Sequence, residues 1–124
     1  MKRSAIVLAL LCLTSLPALA DEAYDQCVAS GKPHNECGEA WVERENTAML
    51  AAWNNVHGQT DGEVEAAMAT EQTAWEAYRQ TACAFMLDEN FAPEGDRTSY
   101  LKCRAGVIAE RTRTIAIYTK YVDN

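Results

Sequence analysis

The sequence predicts an all-α protein: a small disulfide-bonded helical bundle of one short helix and three long antiparallel helices. Runs alternating apolar and polar residues are scarce, while Ala, Glu, Gln, Met and Arg are plentiful, a composition that favours helix over strand. Apolar residues recur at helical spacing through three long segments. Cys27, Cys37, Cys83 and Cys103 form an even set in a short chain, the pattern of a disulfide framework.

The elements follow in chain order. Residues 1–20 are expected to be a secretory signal peptide: a basic start (MKR), an apolar run too short to span a bilayer (SAIVLALLCLTSL) and a small-x-small site (ALA, Ala18–Ala20) before the acidic DEAYD. Cleavage is expected after Ala20. A lipoprotein signal wants a small residue before its cysteine, and Leu11 precedes Cys12, so Cys12 is expected to leave with the signal. Residues 21–124 then form one domain of 104 residues. Its first helix runs from about Glu22 to Ser30 and is ended by Gly31 and Pro33.

The second helix runs from about Asn35, as N-cap, to His57, with Gly58 as its stop and an inward stripe of Trp41, Ala48, Met49, Ala52, Trp53 and Val56. The third starts after QTDGE, where Thr60 and Glu63 fit a capping box and Asp61 is the alternative cap. It extends to about Leu87 with the stripe Val64, Met68, Trp75, Tyr78, Ala82 and Met86. An acidic loop, DENFAPEGDR, leads to a fourth helix from about Ser99 to Tyr121, with the stripe Leu101, Val107, Ile108, Ile115, Tyr118 and Val122. The aromatic residues Trp41, Trp53, Trp75, Tyr78 and Tyr118 are expected in the core.

Short connections make successive long helices antiparallel, and this gathers the four cysteines at one pole. The pairings nearest in sequence, Cys27–Cys37 and Cys83–Cys103, are favoured, with the cross-helix pair Cys37–Cys83 left open. A zinc site would want close C-x2-C pairs, which these spacings do not provide.

Without residues 1–20, nine basic residues face 18 acidic ones, a formal net charge of −9. Such a chain is a poor candidate for nucleic acid or anionic lipid and a plausible partner for a basic protein. No later segment reaches the length of a membrane anchor. Catalytic signatures are weak. His34 and His57, the only histidines, fall near opposite ends of one helix and cannot share a metal there. No G-x-S-x-G, H-E-x-x-H or phosphate-binding glycine loop occurs, and oxidised cysteines supply no thiol nucleophile. No cofactor or metal is implied.

Arg111 interrupts the apolar stripe of the fourth helix, and Gln72 and Arg79 flank that of the third. A guanidinium so placed must reach water or find an acceptor, so these residues are expected to form a partly buried polar network. An anion-binding or catalytic arginine is the rival reading. Asp88, Glu89, Glu94 and Asp96 are the candidate partner-binding residues; their spacing does not match an EF-hand.

The stretches EQTAWEAYRQTAC (Glu71–Cys83) and CRAGVIAERTRTI (from Cys103) resemble the lysozyme-inhibitor LprI-like domain. The pattern there is Gln–x–Ala–Trp–x–x–Tyr/Phe–Arg leading to a Cys, then a later Cys followed by a helical Arg. Trp75, Arg79, Cys83, Cys103 and Arg111 match in order. Cys27 and Cys37 fit the amino-terminal pair. Beyond them Asn46 stands where Asp is usual, Met49 and Leu50 replace Leu-Asn, and Trp53 takes a Tyr position. The resemblance implies a helical, exported, disulfide-bearing domain, and lysozyme inhibition as in some members. The leading expectation is therefore a periplasmic binding protein that occludes a lysozyme-type muramidase. The alternatives are an immunity or envelope-interaction protein with another partner, and a structural envelope protein without inhibitory activity.

Overall fold

The computed structural model describes residues 21–91 and 96–122; the expected signal peptide, with Cys12, and Glu94 of the acidic loop lie outside them. The elements are α1 (Glu22–Ala29), α2 (His34–His57), α3 (Gly62–Thr81), a 3₁₀ turn (Ala84–Leu87) and α4 (Arg97–Val122). No strand occurs among the described residues.

Asp21 opens α1 by accepting the Tyr24 amide at 2.6 Å, which satisfies one of the N–H groups every helix start leaves without a partner. Gly31, at φ +90°, turns the chain into α2. Pro33, not Asn35, is the N-cap of α2 and gives no side-chain bond. The Thr60–Glu63 capping box does not form. Asp61 occupies the N-cap of α3 without a side-chain bond, and the Thr60 hydroxyl instead donates to the His57 carbonyl at 2.9 Å, closing the end of α2.

The third helix stops at Thr81 rather than near Leu87. Cys83 takes a left-handed backbone (φ 67°) and a single 3₁₀ turn follows. Its bond to Cys103, with Cα atoms 6.0 Å apart, ties it to α4, whereas a continued helix would carry the segment onward along its own axis. A second bond, Cys27–Cys37, ties α1 to the first turn of α2. Asp96 then starts α4 at Arg97, accepting the Ser99 amide at 2.8 Å and its hydroxyl at 2.6 Å.

Two neighbouring clusters make the core. Tyr24, Cys37, Trp41 and Ala105 pack at the cysteine pole; Met49, Val56, Ile108 and Ile115 fill the other end. Full burial of side chains of the latter kind contributes roughly 1.5–3 kcal/mol each. These pairings make α2 and α4 parallel neighbours, with α3 running against both. Gly38 permits a close approach: a Cβ there would lie 3.0 Å from Leu101 Cβ.

No residue of α3 is fully buried. It meets the other helices along Met68, Gln72, Trp75 and Arg79, all half-buried. Val64 (59 % exposed) and Tyr78 (57 %) therefore depart from their expected core positions. Tyr78 lies about a quarter-turn off the stripe that faces inward, at 3.6 residues per turn.

Candidate partner-binding surface

Two groups of side chains contain the residues singled out from the sequence. The first joins the three long helices. Arg111, in α4, is 5 % exposed. It donates from Nε and Nη2 to Gln72 Oε1, at 3.1 and 2.9 Å, and from Nη1 to Glu71 Oε1. Gln72 extends the chain, donating from Nε2 to Glu76 at 3.2 Å. Glu76 pairs with Arg79 Nη2 at 2.6 Å, and Arg79 Nη1 donates to Asn46 Oδ1 in α2 at 2.6 Å. Both guanidinium groups lie against Trp75, at 5.3 Å (Arg79) and 5.7 Å (Arg111) from the ring centre. Among the described residues, Arg79 Nε is a buried nitrogen without an acceptor.

The network fixes protonation states. Burial pushes the Glu71 carboxyl up, but hydrogen bonds from Arg111 and Tyr118 and the Arg111 charge outweigh it and hold Glu71 below the usual carboxylate range. Tyr118 is pushed up, first by burial and then by its 2.8 Å bond to Glu71. Beside the network, Trp75, Tyr78, Val107, Glu110, Arg111 and Thr114 line an open cavity of about 260 Å³. Its arginine is held by Glu71 and Gln72, and its Glu110 pairs with Arg113. The arrangement is suited to locking α3 onto α4, since its charges are matched inside the molecule.

The histidines lie at the two ends of α2. His34 Nδ1 meets the Tyr24 hydroxyl at 2.8 Å, and His57 stacks on Trp53 with ring centres 5.1 Å apart. Among the described residues no group of three or more His, Cys, Asp and Glu side chains stands close enough to hold a metal ion.

The second group is the segment between Cys83 and α4. Asp88 accepts from the Asn90 amide at 2.8 Å and from its side chain at 2.7 Å, and these bonds hold its carboxyl below the usual range. The side-chain and backbone bonds from Ser99 do the same for Asp96. Glu89 is exposed. The structure thus gives two of the candidate acidic residues local duties, as turn former and helix cap. It also presents two aromatic residues that the sequence reading left out: Phe85 (60 % exposed) and Phe91 (51 %), their rings edge-to-face with centres 5.4 Å apart. A phenylalanine inside an acidic loop is the one sequence signal that marks Phe91.

The family model described as Lysozyme inhibitor LprI matches residues 25–115. This chain belongs to the LprI family. No curated protein and no solved structure matches it. The span matched to LprI takes in both disulfides, the Gln72–Arg79–Arg111 network and the aromatic pair. It ends at Ile115, so Tyr118, whose hydroxyl donates to Glu71, lies beyond it. Asn46 serves Arg79 as a neutral acceptor, and the charge of Arg79 is met by Glu76.

Proposed function

We propose that the protein is an exported inhibitor that binds a lysozyme-type muramidase and acts by occlusion, with no chemical step of its own. The match to the LprI family over residues 25–115 carries this reading. The acidic balance supports a basic partner, since complementary charge raises on-rate and specificity. Two disulfides in a small domain suit an oxidising compartment such as the periplasm or the cell exterior. No described helix is long and apolar enough to cross a membrane. The test is muramidase activity measured with excess purified protein at low salt, across several lysozyme classes. Dose-dependent loss of activity, relieved by salt, is expected; unchanged activity against every class refutes the reading.

A further inference from the structure

We propose that Phe85 and Phe91 form the wedge that enters an apolar-lined cleft of the basic partner, while the carboxylates beside them steer its approach; this rests on the inhibitory reading above. Phenylalanine is among the residues most often buried, and full burial contributes roughly 1.5–3 kcal/mol, so two rings left more than half exposed forgo folding stability. The rings pack edge-to-face on each other and stand out together.

The segment that carries them is held from several sides. Cys83, just before the 3₁₀ turn, is bonded to Cys103 of α4. Within the turn Met86 N donates to Cys83 O at 3.0 Å and Asp88 N to Phe85 O at 3.1 Å. Phe91 N donates to Asp88 O at 2.9 Å, and Asp96 N reaches back to Met86 O at 2.8 Å. A backbone fixed in this way loses little conformational freedom when its rings dock, which favours affinity. Aromatic anchors with a polar rim are the usual composition of an interface hot spot.

Charge selects the occupant. Asp88 and the exposed Glu89 separate the two rings in sequence. The whole chain is acidic, with a formal net charge of −7 including residues 1–20. A second copy would bring like charges together at this face, whereas a basic protein meets the rim favourably.

The experiment compares wild type, Phe85→Ser/Phe91→Ser and Glu89→Gln for binding to a panel of purified lysozymes, with rates and affinity read separately. Thermal scans establish that each variant is folded. The double variant is expected to bind at least about 30-fold more weakly, mainly through faster dissociation. Glu89→Gln is expected to lower only the association rate, by about two- to threefold. Hydrogen exchange on the wild-type complex provides a reading that needs no variant, with protection expected at the amides of residues 84–91. Double-variant affinity within twofold of wild type, or no protection there, overturns the wedge while leaving inhibition intact. Wild type that binds none of the lysozymes overturns the inhibitory reading and the wedge with it. Self-association of wild type that the double variant abolishes also overturns it, making the face a contact between copies.

Discussion

Replacing Arg111 by Met separates the electrostatic role of this buried residue from its bulk. Methionine keeps an apolar body beside Trp75 and Tyr118 but removes the donors to Gln72 and Glu71. A hydrogen bond to a charged group contributes about 1.5–3 kcal/mol, and a half-buried Gln72 oxygen without its donors costs about 1 kcal/mol more. Against this, the variant no longer buries a cation, and Glu71, whose side chain is 46 % exposed, regains water. The expected net loss is about 2 kcal/mol at pH 7, a fall in Tm of about 10 °C for a domain of this size. The sign of the pH dependence follows from Glu71. Its folded pKa is lowered, so its contribution is present above the unfolded value and is lost as pH falls through the folded one. Without Arg111 most of that contribution is absent at every pH. The deficit of the variant should therefore shrink between pH 7 and pH 3. Urea unfolding with both disulfides oxidised measures it at each pH. A deficit that is the same at both pH values, or below about 0.5 kcal/mol at pH 7, refutes the assigned role of the Arg111–Glu71 pair.

Gly38→Ala sets a helix-propensity gain of about 1 kcal/mol against overpacking of about 1–3 kcal/mol at Leu101 Cβ, so a lower Tm is expected and an unchanged or higher one contradicts the close approach. Cys83→Ser combined with Cys103→Ser should remove about 3 kcal/mol, read as a lower urea midpoint than wild type, because the bond closes a 20-residue separation. Asp96→Ala removes the cap of α4 and should lower Tm at neutral pH. The folded pKa of Asp96 is lowered by the Ser99 bonds, so its contribution is lost as pH falls. Thermal scans at pH 7 and pH 3 should accordingly find the variant closer to wild type in acid.

The helices were legible because apolar spacing reports a helical face whatever that face packs against. The end of α3 was not. Ala82–Leu87 is made of residues that continue a helix readily, and nothing local announces that Cys83 is tethered to Cys103. The orientation of α3 was blurred for a related reason. Its inward stripe contains Gln72 and Arg79, so a stripe drawn through apolar residues alone passes through Tyr78 and Val64, which face solvent. Arg111 stood out because a lone charge within an apolar stripe needs a partner, and Gln72 lay on the neighbouring helix to supply one. The acidic loop was legible as charge. The use of Asp88 and Asp96 as turn former and cap depends on backbone geometry that composition does not carry.

The bonds that place α3 differ from those that place the proposed wedge. With no fully buried residue, α3 is held by directional contacts, Gln72 to Arg111 and Arg79 to Asn46, together with Met68 and Trp75 packed on the cluster of Met49, Val56, Ile108 and Ile115. The aromatic pair depends on Cys83–Cys103 and on the Asp96–Met86 backbone bond, both of which anchor it to α4. The α4 helix is in turn fixed to α2 through Leu101, Ala105, Ile108 and Ile115, all buried.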